Sequence, residues 1–402
     1  MDRGMDRDRD RDRDRERDRS YALGHGYHPS HGPPQHDRHD RHDRREPPPH
    51  HLPPYSHPPH RGGGPAPPQG HPAPAQAISQ NERDLNARIL DSRSWDAVNQ
   101  LVRGASKEAL NDVNVCTAMH RIAKLSSEAK QGPRPREADV EHLLHLVEAQ
   151  IHNFKPRNLA NIIWAVAKLG LRLRPKLLDG INAAIERCAH FFVPQNTSTT
   201  LWSYATLGVV PPEPVLRVLL NATESCCPKF IAQHTSNCFW SLATLAIKPP
   251  QSLLHALCTA IERTTCDYIP QHCSNVIWSF ATLDIKPPPS LLKALEAAAE
   301  RNVHEFDAQN IANTMLSYGK LSLVPPPGLL RGLSQAIERC SQYFTPQNVA
   351  NVLSSYAKMD VAPLMSVLQV LNVTAERCAP GFKPQEVSPP PPPSLVLGKA
   401  PF

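Results

Sequence analysis

No stretch of this chain is apolar for as many as 18 residues, the length a helix needs to cross a bilayer, so no transmembrane helix and no membrane partner are expected. The ten cysteines are scattered without a CxxC pair, which removes the usual signals of a zinc site and of a disulfide framework. Nucleophile–base pairs, glycine-rich phosphate loops and metal-ligand spacings are missing too, so no enzyme activity, cofactor or metal is expected. The start of the chain has no apolar h-region for secretion, and its acidic residues are out of place in a mitochondrial transit peptide. Proline, by contrast, is plentiful: 43 of 402 residues, about twice the usual share, which implies disorder or many punctuated turns. The formal net charge of +6 permits a nucleic-acid partner without demanding one.

Residues 1–76 are predicted to be a disordered tail. "MDRGMDRDRDRDRDRERDRS" alternates acids with arginine, and "HPPHRGGGPAPPQGHPAPAQ" is built from His, Pro and Gly. Neither can bury enough apolar surface to offset chain entropy. Two roles stay open for it: a solubilising leader, or weak multivalent association with similar tails or RNA. Its histidines lack any ligand spacing. At the other end, "SPPPPP" marks 387–402 as a second disordered, Pro-rich tail.

Between the tails the chain repeats. Trp164, Trp202, Trp240 and Trp278 stand 38 residues apart, and the same step lands on Leu316 and Ser354. Gln195, Gln233, Gln271, Gln309 and Gln347 keep that register, as do Glu186, Glu224, Glu262, Glu300, Glu338 and Glu376. Six copies, spanning 156–386, define an array.

Each copy predicts two helices. The first opens on a Pro-Gln pair, where proline's missing N–H has no partner to lose, and ends at "AKL" or "ATL". A proline stop follows, such as "KPP" at 248–250. The second helix carries Leu178, Ile181, Ile185 and Cys188 on one face. An aromatic closes each unit: Phe192, Phe230, Tyr268, Phe306, Phe344 and Phe382. One hairpin cannot bury its apolar face alone, whereas stacked hairpins make a continuous core. The expected fold is therefore an all-α solenoid of 38-residue helical-hairpin repeats. Residues 77–155 are expected to form an N-terminal cap with one divergent repeat, because "HRIAKL" at 120–125 matches the first-helix pattern at an offset of 44. "FKPQEV" begins a seventh unit that "SPPPPP" stops, leaving the last hairpin without a covering helix.

"PRNLANIIWAVAKLG" and "PQNVANVLSSYAKM", each followed by a proline-led second helix, resemble the octotricopeptide repeat family. That family is related to the FAST-kinase-like leucine-rich organellar proteins and to the repeat proteins of RNA-editing substrate-binding complexes. The resemblance covers about residues 83–386. It implies an α-solenoid that binds single-stranded RNA in the mitochondrial matrix or the chloroplast and acts in RNA processing, stability or translation, within a ribonucleoprotein complex. The nuclease-like RAP domain often found downstream in such proteins has no counterpart in these residues, so cleavage is not expected. The Arg-Asp start, on the other hand, resembles that of nuclear RNA-processing proteins, which keeps the nucleus as the alternative location.

RNA-reading repeat proteins set two or three side chains per unit against one base. The first helices carry a polar stripe that begins Asn158, Asn161, Ala165, Lys168. A base-reading position must vary between units, and three columns do so. One is Asn158, Asn196, His234, His272, Asn310 and Asn348; the second is Ile162, Thr200, Cys238, Val276, Thr314 and Val352; the third is Lys168, Thr206, Thr244, Thr282, Lys320 and Lys358. These are the RNA-binding candidates. The nearly constant Asn161 column reads instead as a buried inter-repeat hydrogen bond, the Trp164 column as core, and the Glu186–Arg187 column as an ion-pair ladder facing solvent or the next repeat. The alternative function is a protein-interaction scaffold, since helical solenoids also bind peptides. The small cationic excess of the repeats supports RNA only weakly.

Overall fold

The structure is a computed structural model that describes residues 79–129 and 134–381. The expected tails, Phe382 and the start of a seventh unit lie outside the described residues. Every described element is helical, and the fold is an all-α solenoid. Four helices lead in: α1 (Gln80–Asp91), α2 (Trp95–Arg103), α3 (Asp112–Glu128) and α4 (Glu137–Gln150). Six hairpins follow. The first three are α5 (Pro156–Leu169) with α6 (Pro175–Cys188), α7 (Pro194–Leu207) with α8 (Glu213–Cys226), and α9 (Ala232–Thr244) with α10 (Gln251–Thr264). The last three are α11 (Pro270–Thr282) with α12 (Pro289–Asn302), α13 (Ala308–Leu321) with α14 (Pro327–Cys340), and α15 (Pro346–Met359) with α16 (Met365–Cys378).

Helix α7 forms despite four threonines, residues that propensity alone disfavours by a few tenths of a kcal/mol each. Thr197 and Thr200 are completely buried there, alongside Leu201 and Tyr204. Burying a large apolar side chain contributes about 1.5–3 kcal/mol, so packing decides the outcome.

The turn inside each hairpin has one geometry. A residue one or two positions past the first helix is left-handed in all six units: Gly170, Gly208, Ala246, Asp284, Ser322 and Asp360. The next N–H then closes on the carbonyl five residues back, as in Leu171 to Val166 at 3.1 Å and Ile247 to Leu242 at 2.8 Å. This Schellman closure satisfies carbonyls that the helix end would leave bare. Each second helix runs into one 3-10 turn, which in the first five units delivers the closing aromatic, and Phe230, Phe306 and Phe344 are at most 2% exposed. On the second helices the buried face is centred on Leu177, Ile181, Ile185 and Cys188, with Leu178 at its margin.

First helices stack on first helices and second helices on second helices, the first-helix layer more closely. The layer with the closer spacing takes the inside of the curve. Small residues allow it: Ala165, Ser203, Ser241, Ser279, Ser317 and Ser355 are all fully buried on the stacking faces. A Cβ added to Gly319 would lie 3.2 Å from Ser355 Cα, which measures how near the backbones of α13 and α15 come.

The Glu186–Arg187 column corrects one expectation. Its arginines clip each second helix to the carbonyls of the preceding unit rather than to glutamates. Arg187 donates to Phe154 O at 3.1 Å, Arg263 to Cys227 O and Phe230 O at 3.1 and 3.0 Å, and Arg339 to Phe306 O at 2.8 Å. Arg301 and Arg377 repeat the contact. The next column adds Cys226, Asn302, Cys340 and Cys378, which donate to Phe192, Tyr268, Phe306 and Phe344 carbonyls. An ion pair does occur one unit earlier, where Glu148 meets Arg174 at 3.2 Å.

Candidate nucleic-acid interface

The first helices turn one face to their own second helix and two to their neighbours, which leaves a single face for the inner surface. In α5 that face is Arg157, Asn161, Trp164 and Lys168, spaced i, i+4, i+7, i+11. It lies one position round from the stripe expected from polarity, because the Ala165 column is fully buried. The equivalents are Gln195, Thr199, Trp202, Thr206 in α7 and Gln233, Asn237, Trp240, Thr244 in α9. They continue as Gln271, Asn275, Trp278, Thr282 in α11, then Gln309, Asn313, Leu316, Lys320 in α13, and Gln347, Asn351, Ser354, Lys358 in α15. Helix α3 supplies Val113, Thr117, His120 and Lys124 in the same register. Four rows thus run across seven helices, and no Asp or Glu stands in any of them.

Among the sequence candidates, the Ile162 column is overturned. Ile162, Thr200, Cys238, Val276 and Val352 are 0% exposed and Thr314 is 1%, because this position packs between adjacent first helices. It varies because several small-to-medium side chains fill that space, with no ligand involved.

The Asn158 column is overturned as a reading head as well. Its side chains accept from the backbone N–H three residues earlier and so cap their helices. Asn196 Oδ1 accepts from Val193 N at 3.1 Å, and Asn348 Oδ1 from Thr345 N at 2.9 Å. His234 Nδ1 does the same for Ile231 N at 3.3 Å, His272 Nδ1 for Ile269 N at 3.5 Å, and Asn310 for Asp307 N at 3.3 Å. Asn and His alternate here because each offers an acceptor at the same reach. Asn158 itself donates to Asp112 at 3.0 Å. Partial burial lowers the pKa of His234 and of His272, favouring the neutral ring that can accept.

The third column does reach the inner surface. Lys320 and Lys358 are exposed and Lys168 partly so. Thr206, Thr244 and Thr282 share the row, but their hydroxyl oxygens are covered and unpartnered, so these threonines present no hydroxyl to the surface.

Two columns assigned to the interior prove to line the surface. The indoles of Trp164, Trp202, Trp240 and Trp278 are only partly buried, with Trp164, Trp240 and Trp278 resting one side on the core. Asn161, Thr199, Asn237, Asn275 and Asn351 are partly exposed beside them, while Asn313 is 8% exposed. The signal that finds these rows is the burial of the serine column. A serine whose Oγ bonds its own helix, as Ser241 does to Asn237 O at 2.6 Å, is satisfied without water and rotates the wet face by one residue. His120, Trp164's neighbour, has its pKa lowered by burial first and then by Lys124, Arg157 and Arg121, which identifies this end of the surface as cationic.

Several thiols are masked by burial. Burial pushes Cys116, Cys227 and Cys273 up to about 12 and Cys258 to about 11, keeping them protonated at neutral pH. Among the described residues, no cluster of three His, Cys, Asp or Glu could hold a metal.

Comparison with known proteins gives two likenesses. Residues 128–285 match a family described as "Tbc2 translation factor, N-terminal domain", well under half the chain. A chloroplastic RAP domain-containing protein of rice, Oryza sativa subsp. japonica, is 30% identical over 104 residues. That match covers 24% of this chain and 16% of the rice protein, so the chain spans a small part of its relative.

Proposed function

We propose that this chain is an RNA-binding helical-repeat protein of octotricopeptide type, which holds single-stranded RNA along its inner surface and has no catalytic activity of its own. The observation that carries the reading is the acid-free inner surface: four rows over seven helices with amides in the middle and cations at both ends. Amides pair with base edges and lysines meet phosphates, whereas a carboxylate in those rows would repel the backbone. The likeness to a translation factor domain and to a chloroplastic protein supports a role in organellar RNA processing, stability or translation.

Crosslinking the full chain to cellular RNA, then sequencing what is bound, tests this reading. Enrichment of organellar transcripts is the expected result. Recovery of no RNA above background overturns it in favour of a protein-binding scaffold.

A further inference from the structure

We propose that Trp164, Trp202, Trp240 and Trp278 form a stacking ladder on which about four consecutive RNA bases lie, one per indole, with His120 closing its first end. This rests on the RNA reading above and specifies how the RNA is held. The ladder is closed at its start: His120 takes the tryptophan's place in α3, and its ring centroid lies 4.9 Å from that of Trp164 at an interplanar angle of 35°, a contact that leaves no room for a base between the two. It ends at Leu316 in α13 and Ser354 in α15, both in the same register.

Packing alone does not require an indole at this position. Leu316 is 8% exposed and Ser354 partly exposed in helices of the same length and turn geometry, so the fold accepts a smaller side chain. Four tryptophans in successive units, each partly exposed, therefore call for a role at the surface. Adjacent packed helices are about 8–10 Å apart, so indoles one unit apart recur at about that interval. Aromatic rings in contact have centroids about 4.5–7 Å apart. Accordingly, among the described residues no two of these indoles are in ring contact. The wider interval leaves each indole a face for a base.

The neighbouring rows suit a nucleic acid. Asn237 and Asn275 stand one turn from Trp240 and Trp278, placed for base edges. Lys124, Arg157 and Lys168 surround the first rung and its closing histidine, and Lys320 and Lys358 stand beyond the last. Stacking thus grips the middle of the strand while cations hold phosphates at its two ends.

The test uses the full chain and random-sequence single-stranded RNA of 3, 5, 7 and 9 nucleotides, read by tryptophan fluorescence and filter binding. RNA binding is expected to quench the fluorescence, and affinity should rise up to about four nucleotides before flattening. Trp202→Leu and Trp240→Leu, which copy the fifth unit's residue, are each expected to weaken binding about 5- to 150-fold, the range set by loss of one stacked base. Trp240→Phe should retain most of it. Circular dichroism melting checks that the variants fold; if the leucine variants do not, the phenylalanine variant and the wild-type quenching still decide. RNA bound with unchanged affinity by the folded variants, and without quenching, overturns the ladder and leaves the RNA reading standing. Affinity that keeps rising at the same rate to nine nucleotides overturns the four-rung limit. Binding of no RNA at low salt overturns both.

Discussion

Single side chains in this array take their meaning from one-position differences. Thr200 and Thr314 occupy a column that is Val276 and Val352 in two sister units, and both hydroxyls are buried without a partner. Leaving such a group unsatisfied costs about 1–3 kcal/mol. Thr314→Val and Thr200→Val should each raise stability by about 1 kcal/mol in a denaturant titration and leave RNA affinity unchanged. Weaker RNA binding by these variants would return the column to the interface.

The capping histidines predict a pH effect whose sign can be worked out. Burial lowers the pKa of His234 and His272 below the unfolded value of about 6.5. The unfolded chain then binds protons that the folded chain refuses. Their contribution is fully present above about pH 6.5 and is lost as pH falls from there towards the folded value. A double variant His234→Asn with His272→Asn, which restores the cap used in other units, should lose less Tm between pH 7 and pH 5 than the parent. Equal losses would show that these caps are not the groups that titrate.

Between elements, the arginine clip is the contact that joins consecutive second helices. It is absent at one seam: Ser225 stands in α8 where the arginine should be, and only Cys226 reaches back to Phe192 O, at 3.3 Å. A charged hydrogen bond contributes about 1.5–3 kcal/mol when protected and less at an exposed position. Ser225→Arg should therefore raise stability by about 1 kcal/mol, and Arg263→Ala should lower it by about 1–3 kcal/mol, both read from urea unfolding. In a stack where each unit touches only its neighbours, these effects stay local to the seam. No change on replacing Arg263, which holds two carbonyls at 3.1 and 3.0 Å, would mean that the clip follows the packing without stabilising it.

For the molecule as a whole, the solenoid was legible because 38-residue columns override local propensity. Trp164 to Trp278 set the register, and the Pro-Gln openings set the direction of each first helix. The site was legible only in part. Its lysine row was found, but polarity placed the wet face one residue away from where it lies. Two things hid it. Buried serines such as Ser241 look solvent-facing yet satisfy themselves on their own helix. Tryptophans look like core yet stay partly exposed. Nor does sequence distinguish a capping Asn from a base-reading one, since both need the same acceptor. At this scale the cations give the prediction. Replacing Lys168, Lys320 and Lys358 together by Gln should weaken RNA binding and flatten its salt dependence by about two in log–log slope, since each phosphate contact on a single strand contributes about 0.7. An unchanged slope in filter-binding titrations would remove the lysine row from the interface.

The clip has a further consequence. Arg263 reaches 33 and 36 residues back, and Arg339 and Arg377 do the same. Partners at a fixed offset belong to a place in the array and not to a particular residue. Excising one whole 38-residue unit brings the next arginine to an equivalent pair of carbonyls, whereas losing 37 or 39 residues misaligns every row downstream. Such a chain can change the length of its inner surface in whole-unit steps, each a single duplication or deletion, without inventing a new packing solution.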